Sequence, residues 1–354
     1  MFTALRIENF RGFRQLSLQS LQRINLFAGM NNVGKTALLE AIFLHLGPNN
    51  PELALRINGF RGMEPVLLEA EPLWGWLFYG KDLNSTIVIT SQSVAGIERH
   101  LKITLEREHS ALLSLANEPG TAKAGPPIST QASFSALLLE YTDSTGIKTC
   151  SKGLLMPGRV RFESSGANIE LVPGVFLGSR LFTLREDAER FSKLTELGLE
   201  DEILPTLRLL EPRLKRLALL VSGGVPSIHG DVGIGRLIPV SLMGEGLARL
   251  LSLLLTVYTT QNGCVLIDEI ENGLHYSVMH KVWEALMEAA KNADTQLFAT
   301  THSRECIMAA HRVAQLAHYD FNLQRLERMD GEVTVVGYDR EMLDTADEFA
   351  MEVR

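Results

Sequence analysis

The stretch NLFAGMNNVGKTALLEAIF (Asn25–Phe43) sets two glycines, a lysine and a threonine between an apolar strand and an apolar helix. Within it Gly29, Gly34, Lys35 and Thr36 fit G-x-x-x-x-G-K-[ST], the phosphate-binding loop. The pattern alone arises by chance, so its flanks decide. INLFAG (24–29) is a short apolar run suited to a buried parallel strand. After the loop, Ala37, Leu38, Ala41, Ile42 and Leu46 recur with helical spacing up to the stop at Gly47-Pro48. Phosphate chemistry needs this order of strand, glycine loop and helix start. The backbone curls so that its N–H groups and the helix N-terminus face phosphate oxygens. Gly29, Asn31, Asn32, Val33, Gly34 and Ala37 are therefore assigned to the nucleotide. Lys35 is expected to reach the β- and γ-phosphates, and the Thr36 hydroxyl to hold Mg²⁺.

The whole chain sets the bounds. Its 354 residues allow one large domain or two to three modules. With 45% hydrophobic and 21% charged residues it has the composition of a globular protein with a sizeable core. A net charge of −8 excludes a surface coated for nucleic acid, while leaving room for a local basic groove. Cys150, Cys264 and Cys306 lie far apart without C-x-x-C spacing, so neither a disulfide framework nor a zinc site is expected. A reducing compartment fits. The N-terminal MFTALRIENFRGF carries charge too early for a signal peptide. The most apolar window, Leu247–Tyr258, contains Arg249 and is too short to span a bilayer. The expectation is a soluble, cytoplasmic protein that does not engage membranes.

Outward from the loop, TALRIE (3–8) and RQLSLQ (14–19) read as strands around Arg11-Gly12. NSTIVITSQSV (84–94) and RHLKITLERE (99–108) form a second strand pair. Ala116–Thr130, rich in Gly, Pro, Ala and Ser, reads as an exposed loop. Strand-like runs return at 135–142, 147–156 and 159–165 and close near Gly178. From Arg180 the style changes: 185–198 and Glu200–Leu217 are charged, amphipathic and helical, with Gly198 as a stop. Short strands at 217–222 and 236–241 precede an apolar helix from Gly246, the strand GCVLIDE (263–269) and a helix over 277–291. The strand QLFATTHS (296–303) and a helix over 304–316 follow. Asp330-Gly331 is a hairpin turn, and 340–353 an amphipathic helix.

Hydrolysis needs a metal-ordering acid and a group that positions water. Cys264–Glu269 supplies four apolar strand residues and then two adjacent carboxylates. At the carboxyl end of a strand, where α/β sites form, Asp268 would hold Mg²⁺ through water. Glu269 would polarise the attacking water as general base. Asp268 lies 233 residues beyond Lys35, too far for a compact nucleotide kinase or small GTPase core. His302, ending the next buried strand, would sit beside the Glu269 strand end and contact the γ-phosphate.

Together FAGMNNVGKTALLEAI, SLMGEGLARLL, CVLIDEIENGLHYS and QLFATTHS resemble the ABC-type ATPases allied to RecF, SMC proteins and the OLD (overcoming lysogenization defect) ATPases. The resemblance covers about 1–47 and 236–310. It implies an α/β fold, a P-loop NTPase of ABC-ATPase-head type with a β-rich N-terminal lobe and a helical insertion. Its parts would be a Walker A portion (1–83), a β-rich lobe (84–179), a helical subdomain (180–235) and a C-terminal portion (236–354). The activity implied is a slow ATPase using ATP and Mg²⁺. Two heads would pair head-to-tail as a homodimer, sandwiching two ATP molecules between Walker A loop and opposing signature. By match, Asp268 and Glu269 are the Walker B pair and His302 the switch histidine. Ser241, Gly244 and Gly246 form the signature, and Glu271, Asn272 and Gly273 the interface-crossing D-loop. Arg11 matches an N-terminal arginine that approaches the nucleotide.

Three departures stand out. Glycine replaces the usual signature serine, so Ser241 or backbone N–H groups would substitute. No clear Q-loop glutamine emerges, Gln92 being the one candidate. Only 52 residues follow His302, too few for the Toprim nuclease domain of OLD nucleases. The leading reading is an ATP-driven head that controls a separate effector protein, a setting which in this family includes anti-phage defence. The alternatives are a RecF-like DNA-binding ATPase, using Arg208, Arg213, Lys215 and Arg216, and a nucleotide-dependent scaffold with negligible turnover.

Overall fold

The computed structural model describes residues 1–63, 69–109, 133–156, 158–166, 169, 171–178, 184–348 and 352–353. The loop expected over Ala116–Thr130 lies outside the described residues. β1 (Phe2–Phe10) and β2 (Phe13–Leu18) form an antiparallel hairpin. β3 (Ile24–Ala28) is buried at every residue and enters a different sheet. α1 (Lys35–Leu46) follows the glycine loop, and two short helices, α2 (Leu53–Phe60) and α3 (Ala70–Trp74), lead out of it. β4 (Ile87–Ser93), β5 (Glu98–His109), β6 (Ser133–Asp143), β7 (Lys148–Met156) and β8 (Arg159–Gly166) then extend the first sheet. Its order is β2-β1-β4-β5-β6-β7-β8, antiparallel throughout. Strands on both sides of residue 83 therefore belong to one sheet.

β9 (Gly174–Leu177) was not evident in the sequence, because four residues give too little pattern to read. α4 (Leu184–Glu196) runs as expected and stops before Gly198, whose φ is 69°. The helix expected over Glu200–Leu217 is shorter: α5 ends at Leu207 (Glu200–Leu207). Pro212 disfavours helical geometry at Glu211, and the chain turns there into β10 (Arg216–Ser222). β11 (Val225–Asp231) and β12 (Ile238–Pro239) complete a small antiparallel sheet.

The remaining elements alternate: α6 (Glu245–Thr259), β13 (Cys264–Ile267), α7 (Met279–Asn292), β14 (Gln296–Thr300) and α8 (Arg304–Ala317). β15 (Phe321–Met329), β16 (Glu332–Tyr338) and α9 (Arg340–Glu348) end the described chain order. The expected hairpin turn is present, with Asp330 and Gly331 at φ 52° and 86°, the paired positive values of a type I′ turn. The central sheet has the order β16-β15-β3-β14-β13-β9, parallel except for β16.

Period-two alternation splits that sheet's side chains between two cores. Phe27, Leu266 and Phe298 join one cluster with α1 and the inner face of the first sheet. Leu26, Val265, Ile267, Leu297 and Ala299 join the other, with α6, α7 and α8. Lying between two sheets, α1 buries every residue except Thr36, as a helix apolar all round must. No described helix is long and apolar enough to cross a membrane.

Candidate active site

Three adjacent parallel strands, β3, β14 and β13, end side by side, Ala299 pairing with both Leu26 and Ile267. Their carboxyl ends carry, in order, the glycine loop, Thr301-His302 and Asp268-Glu269. This is where open parallel sheets place ligands. Residues separated by more than 230 positions thus meet because β14 threads between the other two.

Two glycines shape the loop. Gly29, at φ 137°, has Leu326 O at 2.5 Å from where a Cβ would stand, and Gly34, at φ 114°, has the Phe13 ring at 2.8 Å. Only glycine tolerates both the left-handed backbone and the contact. Asn31 and Asn32 are exposed at the loop tip, while Val33 and Ala37 anchor its exit in the core. Lys35 is 8% exposed and donates through Nζ to Gly29 O at 2.6 Å and Met30 O at 3.0 Å. Burial pulls its ammonium below the ordinary pKa, and the charges of Asp268, Glu271 and Glu269 oppose that fall.

The Thr36 hydroxyl donates to Asp268 Oδ2 at 3.0 Å and Oδ1 at 3.1 Å. Thr300 fixes the same carboxylate: its Oγ1 donates to Asp268 Oδ1 at 2.7 Å and accepts from Glu269 N at 2.8 Å. One hydroxyl therefore orients the Asp268 carboxylate and sets the backbone of the adjacent Glu269. Glu269 holds a left-handed φ of 49°, a strained geometry for a non-glycine residue, which aims it away from the β13 axis. Arg249 supports the turn from behind. It is 1% exposed and donates through Nη2 to Asp268 O at 2.9 Å and through Nη1 to Gly178 O at 2.8 Å.

The hard oxygens of Thr36 and Asp268 fit Mg²⁺, which takes few protein ligands and leaves the rest to water and phosphate. The described residues hold no group of three or more His, Cys, Asp or Glu side chains arranged for a metal.

Comparison with known proteins bears on this geometry. Residues 161–307 match the family model described as "AAA domain, putative AbiEii toxin, Type IV TA system", and residues 4–118 match one described as "AAA domain". A Helicobacter pylori protein named ATP/GTP phosphatase is 24% identical over 346 residues, covering 87% of this chain and 86% of its own. Solved structures of SMC heads share the fold. One, an Smc head bound to the C-winged helix domain of ScpA, is 12% identical, with TM-score 0.52 over 97% of this chain and 99% of that one. Another carries an extended coiled coil and is bound to the C-terminal domain of ScpA derived from Pyrococcus furiosus. It is 11% identical, with TM-score 0.51 over 99% of each chain.

The chain has the fold of an SMC-type P-loop ATPase head.

The segment expected to be the signature opens α6. Ser241 and Gly244 are exposed, and Gly246 packs against the D-loop of its own chain, with Gly273 O at 2.5 Å from its would-be Cβ. His302 is half exposed, and its ring is held by Glu271. Arg11 reaches α1 about one turn beyond Thr36. Its guanidinium pairs with the buried Glu40 of α1 at 2.6 Å and donates to Asn58 Oδ1 at 3.0 Å. Arg61 shares that Glu40, through Nε at 2.7 Å. Gln92 lies on β4, paired with Ala4 of β1.

Sequence reading missed Thr300 and Arg249, and it gave Glu271 to the dimer interface without its contact to His302. The first two had a signal: a polar residue inside the buried run QLFAT, and one charge inside the apolar window of α6.

Proposed function

We propose that this head hydrolyses ATP with Mg²⁺, closes with a second copy around the nucleotide, and thereby controls a separate effector. The observation that carries the reading is the Thr36–Asp268 contact, which joins the two halves of the site across 232 residues. When bound, Mg²⁺ neutralises charge on the β- and γ-phosphates. Lys35 exchanges its two loop carbonyls for phosphate oxygens. Glu269 takes the proton from the attacking water, and His302 contacts the γ-phosphate. The toxin–antitoxin wording of the family match and the phosphatase name of the relative favour a defence role with real turnover over a passive scaffold.

The DNA-binding alternative draws little support. Arg208 donates to Leu214 O and Lys215 O, Arg213 pairs with Glu211, and Arg216 lies 3.6 Å from Asp231. These residues serve a turn and a hairpin rather than one helix face.

Calorimetry with ATP–Mg, paired with phosphate release, tests the reading. Lys35→Ala should abolish ATP binding, because the one side-chain cation in the loop is gone. Glu269→Gln should bind ATP as the parent does and lose about 10²–10⁴ in turnover, the usual contribution of a general base. Parent-like affinity in the first variant, or parent-like turnover in the second, overturns the assignment.

A further inference from the structure

Glu271 stands two residues beyond the proposed base, and its carboxylate is 11% exposed. Its Oε1 accepts from His302 N at 2.8 Å and lies 3.1 Å from His302 Nδ1. Its Oε2 is buried with no hydrogen-bond partner. Beside a carboxylate oxygen, which can only accept, the tautomer with its hydrogen on Nδ1 is the favoured one. That leaves Nε2 as the nitrogen facing outward from the half-exposed ring, with no protein partner among the described residues.

We propose that Glu271 is the positioning residue of His302, fixing its tautomer and ring direction so that Nε2 addresses the γ-phosphate. The inference rests on the reading of His302 as the γ-phosphate contact. It is the logic by which a carboxylate orients a histidine in other active sites. It also gives this D-loop residue a role within its own chain. Glu271 opens the segment whose Gly273 carbonyl lies against Gly246 of the signature helix, so whatever shifts that segment shifts the histidine.

A merely structural alternative exists, since Glu271 also caps the backbone N–H of His302. That N–H survives in His302→Ala, which makes a double-mutant cycle decisive. Turnover and ATP affinity are compared for the parent, Glu271→Ala, Glu271→Gln, His302→Ala and the double variant. Glu271→Ala should lose about 10–100-fold in kcat, the scale on which partners of a working histidine act. ATP affinity should stay within about threefold, and Glu271→Gln, whose amide oxygen still accepts, should recover most of the rate. The double variant should be no slower than His302→Ala alone. Losses that multiply in the double variant overturn the proposal and assign Glu271 to capping. Parent-like turnover in His302→Ala overturns the reading of the histidine itself, a distinct result. Glu271→Asp, which withdraws the carboxylate by one methylene, replaces Glu271→Ala in the cycle if that variant fails to fold.

Discussion

His45, in the last turn of α1, is 3% exposed, with Nε2 2.7 Å from Ser91 Oγ. Burial, with the charges of Arg99 and His100 added, pushes its pKa down to about 3. The folded chain therefore refuses a proton that the unfolded chain accepts near 6.5. Stability from this group is complete above pH 6.5 and is lost as pH falls from there toward 3, by up to about 1.4 kcal/mol per pH unit. His45→Gln keeps a partner for Ser91 but cannot titrate. Urea midpoints at pH 7 and 5 should fall less for the variant than for the parent, and equal falls would place the acid sensitivity elsewhere. At this scale the sequence was unevenly legible. Lys35, Thr36, Asp268 and Glu269 announced themselves because their chemistry needs fixed neighbours in sequence. Thr300, Arg249, Glu271 and the Glu40 that braces Arg11 and Arg61 act through contacts 19 to 71 residues away in the chain, so a local pattern marks at most that they are unusual and not what they hold.

Among the elements, the N-terminus of α6 shows most clearly how tightly packing is set. Gly246 must be glycine because the Gly273 carbonyl occupies the space of its Cβ. Gly246→Ala forces helix and D-loop apart and should cost about 1–3 kcal/mol, the range for overpacking, read as a lowered urea midpoint. An unchanged midpoint would mean that the D-loop yields freely. Long periodic elements such as α1, α7 and α8, and the alternating strands of the first sheet, were legible because one face or both are buried continuously. α5 and β9 were not. A proline beyond α5 redirected a run that looked helical by charge pattern, and β9 earns its place only by pairing with β13, a partner 90 residues on.

For the whole molecule, the parallel sheet sets the loop, the carboxylates and the histidine on one edge, while Ser241, Leu242 and Gly244 of the signature stand exposed at the start of α6. Exposed signature residues are what a second copy would need in order to complete the site, and ligand that contacts only the closed pair shifts the population toward it. Hydrolysis by the parent would blur that shift, so the slow Glu269→Gln variant is the better probe. Ser241→Arg, an exposed position, should block pairing without the packing conflict that any side chain at Gly246 creates. The most direct measurement is the mass of Glu269→Gln by light scattering behind gel filtration, with and without ATP–Mg. The prediction is a doubled mass at saturating ATP that Ser241→Arg abolishes while calorimetric ATP binding persists. A mass that stays at one chain in saturating ATP, or one already doubled and indifferent to nucleotide and to Ser241→Arg, would contradict closure around ATP.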